Sequence, residues 1–124
     1  MSLLQVTAQP LSAEGLAAET ARAAGHGEGC GAVTVFLGLV RATHQGRAVD
    51  HLEYEAFAPL AVATFAQIQA EVAEAWPGVV VGIAHRTGRL SVGEASVMST
   101  RPLNSTVPAT RSARTVPAFV RATA

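Results

Sequence analysis

Residues 31–57 read GAVTVFLGLVRATHQGRAVDHLEYEAF, and the fold class turns on them. The first ten are β-branched, aromatic or small, with apolar residues almost unbroken, which is the composition of a strand buried on both faces. Gly38 inside that run points to a bulge or a close backbone approach. Residues 41–47, RATHQGR, form a polar turn around Gly46. From Val49 the pattern alternates, placing Leu52, Tyr54 and Ala56 on one face and His51, Glu53 and Glu55 on the other. With Gly46 near the middle, the two runs read as an antiparallel hairpin.

The pattern changes on both sides of this pair. Upstream, Leu3–Thr7 is a short strand candidate ended by Pro10. Ser12 is placed to cap a helix over Ala13–Ala24, with Glu14 in the first turn where a carboxylate suits the helix dipole. Glycines 25, 27, 29 and 31 then break the chain. Downstream, Pro59 sits where a first helical turn tolerates it. Ala61, Phe65, Ile68, Val72 and Trp76 recur at the spacing of a single helical stripe, and Pro77-Gly78 stops that helix. Residues 79–84, VVVGIA, read as a buried strand. Residues 85–94, HRTGRLSVGE, read as a polar connection, and another strand begins at Ala95. The order β-α-β-β-α-β-β, with mostly antiparallel strands, predicts an α+β fold with two main helices. The glycines before Gly31 precede a strand instead of opening a helix, so they do not make a dinucleotide fingerprint.

Composition narrows the function. The chain has 124 residues, 49% apolar and only 15% charged, which is apolar for a domain with no partner to cover it. All nine cationic residues are arginines, so lysine-based Schiff-base or general-base chemistry is excluded. Residues 1–97 carry five arginines and all nine acidic residues, whereas residues 98–124 carry four arginines and no acid. We therefore expect a single domain over 1–97 and an atypical C-terminal segment over 98–124, rich in Ser, Thr and Pro and loosely ordered. A net charge of zero without basic clusters argues against nucleic acid. No apolar run is long enough to span a membrane. The lone Cys30 and the lack of a recognisable leader fit a cytoplasmic protein.

Few residues stand out chemically. Arg41, at the end of the apolar strand, can present a planar fork of donors to a phosphate or carboxylate. His26, His44, His51 and His85 are scattered, without the local pairing of a metal site, and no cofactor is expected. Glu53 and Glu55 share a strand face, either as an acid–base pair or, more plainly, as a solvated face or an interface with basic residues. Cys30 has no base near it in sequence and reads as a small apolar residue. No G-x-S-x-G elbow is present.

Taken together, G-A-x-x-x-F-x-G-x-V-R at 31–41, V-x-x-L-x-Y-E at 49–55, the helix ending at Trp76 and H-R-x-G-x-L-x-x-G-E at 85–94 occur in an order that resembles the catalytic (large) subunit of molybdopterin synthase. The resemblance covers Cys30 to Val97. It implies an α/β hammerhead fold and a homodimer within a heterotetramer. It also implies a ubiquitin-like sulfur-carrier small subunit as partner, whose C-terminal thiocarboxylate supplies sulfur to cyclic pyranopterin monophosphate in molybdenum cofactor biosynthesis. It places Leu39, Val40 and Arg41 on a substrate-binding segment. The family ends in a segment like K-x-x-x-P-I-W-K-K-E whose lysines serve catalysis and binding. Here residues 116–121, VPAFVR, are similar to it, with Ala113 and Val120 at the lysine positions and Arg114 and Arg121 one position away. Arg101 corresponds to the arginine of a second His-Arg pair. Arg101 and Arg121 therefore join the substrate-binding set, and no catalytic residue is assigned. The missing lysines leave an alternative reading, a catalytically impaired or non-catalytic homologue that binds and dimerises. The compositional break at Met98 is also what a shifted reading frame would leave.

Overall fold

The computed structural model describes residues 2–24 and 30–102, and the backbone alone for 120–123. The elements are β1 (Leu4–Thr7), α1 (Ala13–Ala24), β2 (Val33–Leu39), β3 (Thr43–His44), β4 (Arg47–Ala48), β5 (His51–Ala56), α2 (Ala58–Ala75), β6 (Gly82–Arg86), β7 (Gly88–Ser91), β8 (Ala95–Pro102) and β9 (Val120–Thr123). A four-stranded sheet runs in the order β1-β6-β8-β2, and a second sheet in the order β7-β5-β9. The β1–β6 pair is parallel, and the other ladders of the two sheets are antiparallel. The fold is α+β, a mostly antiparallel mixed sheet with two helices, as the pattern predicts, and of the hammerhead type that the resemblance implies.

The helices cover opposite faces of the larger sheet. Ile83 packs with Phe65 of α2, while its neighbour Ala84 packs with Leu16 of α1 and Met98 of β8, as successive residues of a strand must. The α2 stripe is the expected one. Phe65 is buried, Ile68, Val72 and Trp76 pack against the same cluster, and Ala61 is fully buried. Removing the Phe65 side chain from water contributes roughly 1.5–3 kcal/mol. The Ser12 cap is also present, its Oγ accepting from the Gly15 N–H at 3.0 Å. A third cluster, Val40, Val49 and Leu90 with Leu52 and Tyr54 against it, sits under the smaller sheet.

Several expectations need correction. The two runs of the opening stretch do not pair: β2 lies on β8 and β5 lies between β7 and β9. A register shift between Gly38 and Leu39 ends the β2 ladder. Val40 then turns away, donating to Glu94 O and accepting from the Gly93 N–H. Gly46 does form a hairpin, but only the two-residue pair β3–β4. Gln45 (φ 50°) and Gly46 (φ 77°) make its turn, with the positive φ pair that matches strand twist. Gly38 meets both expectations at once, since a Cβ there would lie 2.5 Å from Val97 Cγ1. The strand expected at 79–84 starts later. Gly78 adopts φ 86° and Val79 N donates to Trp76 O, so Val79 enters the core from the helix-ending turn. Residues 85–94 carry the end of β6 and all of β7, and Leu90 is fully buried. Nor is β2 buried on both faces: Val35, Phe36, Leu37 and Leu39 are all exposed.

β8 runs through the compositional break at Met98 to Pro102. Met98, Thr100 and Arg101 are buried in the larger sheet. Residues 103–119 and 124, including Ala113 and Arg114, lie outside the described residues.

Candidate functional site

A cavity of about 330 Å³ opens where β2 leaves its sheet. Leu39, Val40 and Arg41 form one wall, Thr43 and His44 of the small hairpin a second, and Val49, Leu52 and Tyr54 a third. The local sequence explains the placement. The Gly38 bulge turns the chain out of the β2 ladder, and the Gln45-Gly46 turn folds β3 and β4 back so that His44 stands near Arg41 in the lining. Val40 and Val49 are the buried members of the lining, packed on Leu90, while Arg41 is exposed.

Tyr54 is held from behind. Its ring meets His85 edge-on, with centroids 5.2 Å apart and planes at 66°, a favourable arrangement for two aromatic rings. His85 is 2% exposed, and its Nδ1 is 2.9 Å from Arg86 O. Burial pushes the His85 pKa below its ordinary value, partly offset by that backbone hydrogen bond, so the ring is neutral at pH 7 and Nδ1 carries the hydrogen it donates. The loop after β7 is fixed by Glu94. Its carboxylate accepts from the Ser91 N–H at 2.8 Å and lies 3.4 Å from Arg86. The backbone N–H and then the guanidinium hold its pKa below the usual carboxylate value.

The substrate-binding set named from the sequence is therefore divided. Leu39, Val40 and Arg41 converge on the cavity. Arg101 does not line it: it is buried opposite Thr34, at the far end of β2, roughly 17 Å of strand from Leu39. Arg121 is described by its backbone alone, in register with Glu55 on the strand that carries Leu52 and Tyr54 into the cavity. Sequence reasoning missed Thr43, His44 and Tyr54 as lining residues. The Gly46 turn was the available signal for His44. Glu53 and Glu55 are exposed on the other face of β5, with Glu53 opposite Arg89, which is the solvated-face reading. Among the described residues no group of His, Cys, Asp or Glu could hold a metal ion. No helix there is long and apolar enough to cross a membrane.

Fold and site define a hammerhead-type α+β domain with a mainly apolar cavity that has an arginine in its lining, suited to an anionic ligand. The chain belongs to the MoaE family: the family model described as MoaE protein matches residues 6–100. It is 38% identical over 98 residues to the molybdopterin synthase catalytic subunit of Bacillus subtilis, covering 79% of this chain and 59% of that protein. It is 47% identical over 68 residues to the subunit of the same name from Staphylococcus carnosus, covering 55% of this chain and 45% of that one. Among solved structures, molybdopterin synthase from Staphylococcus aureus superposes with a TM-score of 0.73 at 33% identity, covering 82% of this chain and 71% of that one. The chain thus spans about half to three-fifths of the length of these curated relatives. The family match ends at residue 100 and so, like β8, extends past the break at Met98.

Proposed function

We propose that this chain acts as the catalytic subunit of a molybdopterin synthase in the cytoplasm. In this reading it moves sulfur from the C-terminal thiocarboxylate of a ubiquitin-like small subunit to cyclic pyranopterin monophosphate, as a homodimer carrying two small subunits. The observation that carries the reading is the Leu39–Arg41 segment. It falls inside the family match and forms one wall of the cavity. Both reaction partners are anionic, one through its phosphate and the other through its thiocarboxylate. Arg41 offers a planar fork of donors for either, and His44 and Thr43 add polar atoms beside it.

An arginine binds charge well but does not release its proton near neutral pH. With no lysine in the chain, Arg41 serves binding and charge stabilisation, and Arg121 is proposed as a further cationic contact supplied from the C-terminal part, whereas Arg101, buried at the far end of β2, is not part of this contact. The lysine-free composition is the observation that favours the second reading, a homologue that binds the carrier without turning over. Single-turnover incubation of the folded chain with loaded carrier and cyclic pyranopterin monophosphate separates the two. A dithiolene product supports the enzyme. Carrier binding by calorimetry with no product selects the binding module. Neither binding nor product overturns both.

A further inference from the structure

We infer that Arg47 is the second cation of an anion clamp with Arg41, so that the substrate binds with its ring on the apolar lining and its phosphate at the β3–β4 hairpin; this rests on the proposed function and deepens it by naming a residue and an orientation. Arg47 is not itself in the cavity lining, but the register places it alongside. His44 pairs with Arg47 across the hairpin, and directly opposed residues of a ladder carry their side chains on one face. Val49 lies two residues along the same strand and shares that face; its N–H donates to Ala42 O at 2.8 Å, which continues the ladder. His44 and Val49 both line the cavity. Arg47 therefore stands next to two lining residues, roughly 5 Å away across the ladder and roughly 7 Å along the strand. The hairpin is held at both ends, by the buried Val40 and Val49 at its root and by the positive φ pair Gln45 and Gly46 at its tip.

The charges of this hairpin are unanswered. Residues 41–49, RATHQGRAV, hold two arginines, one histidine and no acid. Elsewhere Arg22 bridges Glu19, Arg86 bridges Glu94, and Arg89 lies opposite Glu53. Among the described residues neither Arg41 nor Arg47 makes an ion pair or a hydrogen bond, and both are exposed. Asp50, the nearest acid in sequence, is 97% exposed, with its carboxylate 3.6 Å from His51. Arg41 at the root and Arg47 at the tip are roughly 10 Å apart along the strands, a gap that two arginine side chains can close on one phosphate. The lining at Leu39, Val40, Val49, Leu52 and Tyr54 is apolar or aromatic, and about 330 Å³ is the size of a small-molecule site. A phosphate pressed onto that surface would lose its water without gaining a donor, whereas at the hairpin it meets two planar forks. The ring that fills this lining carries its phosphate within reach of the hairpin, which favours the substrate over the carrier's C-terminus as the source of the anion.

The test uses the full chain and calorimetric titration. Arg47→Ala is expected to weaken binding of cyclic pyranopterin monophosphate roughly 10-fold, as loss of one hydrogen bond to a charged group does, with the melting temperature unchanged. Salt gives a readout that a merely structural role would not move. Wild-type affinity should fall as ionic strength rises, and fall less steeply in Arg47→Ala. Arg47→Lys should keep the wild-type steepness and recover part of the affinity, because the charge stays and the fork is lost. Arg89→Ala, which removes an arginine outside the lining and the hairpin, should change neither. A pterin without phosphate should bind wild type and Arg47→Ala equally. If the wild type binds the substrate and Arg47→Ala binds it as tightly with the same salt dependence, the clamp is wrong and the proposed function stands. If the phosphate-free pterin is weakened as much as the substrate, Arg47 meets the ring and the orientation is overturned. If Arg47→Ala weakens only a short peptide ending in a Gly-Gly carboxylate, the anion at the tip is the carrier's terminus and the phosphate assignment is wrong. No binding of substrate to the wild type overturns the proposed function and this inference together.

Discussion

Gly82 is a tight joint between α1 and the larger sheet, and replacing it with alanine has a cost that can be worked from the packing. A Cβ at this position would lie 2.5 Å from Thr100 Oγ1, 2.9 Å from Thr20 Oγ1 and 3.0 Å from Leu16 Cδ1. Thr20 and Thr100 share a hydrogen bond of 2.5 Å across the α1–β8 contact, and Thr20 Oγ1 also donates to Leu16 O at 2.9 Å. Both hydroxyls are buried, so neither can swing into water. Forcing a methyl group into a packed core costs about 1–3 kcal/mol. Reduced freedom of the unfolded chain returns about 0.4–1 kcal/mol. Gly82→Ala is therefore expected to destabilise by about 1–2 kcal/mol, which lowers the melting temperature by roughly 5–10 °C for a domain of this size. Urea unfolding should show a lower midpoint with an unchanged slope. The mechanism makes a further demand. Thr100→Ala removes the nearest obstruction, so the double variant should lose at least about 0.5 kcal/mol less than the sum of the two singles. A neutral or stabilising Gly82→Ala, or strictly additive singles, would refute this account of the joint.

Two other outcomes follow from the site. The buried His85 has a folded pKa below its ordinary value of 6.5, so the unfolded chain binds the proton more readily. Stability is then complete above pH 6.5 and falls as the pH drops through the folded pKa. The melting temperature should decline between pH 7 and 5, and His85→Gln should flatten that limb; an unchanged slope in the variant contradicts the assignment. Gly46→Val forces a β-branched residue to φ 77° and should cost at least about 1–2 kcal/mol by thermal unfolding. It should also weaken ligand binding, because the turn carries His44 into the cavity.

The parts of this fold that could be read from the chain are those with local causes. The α2 stripe from Ala61 to Trp76, the Ser12 cap and the Gly38 irregularity each depend on residues within a few positions. The partner of β2 could not be read this way. Val33 pairs with Pro102 and Leu39 with Ala95, contacts that no hairpin rule reaches. The exposure of β2 escaped for a related reason. An unbroken apolar run looks the same whether a strand is buried inside its own sheet or left at an edge for another chain to cover. At the site, Leu39–Arg41 could be located by the motif that ends the strand. Tyr54 could not, because its place depends on β5 leaving β2 for a different sheet.

The central claim is that the Leu39–Arg41 wall binds the anionic substrate. Calorimetric titration of cyclic pyranopterin monophosphate into the wild-type chain and Arg41→Ala tests it most directly. A hydrogen bond to a charged group contributes about 1.5–3 kcal/mol, so the account predicts measurable binding to the wild type and affinity weakened about 10- to 150-fold in the variant, with the melting temperature unchanged. Equal affinity for both proteins, or no binding to the wild type, would contradict it.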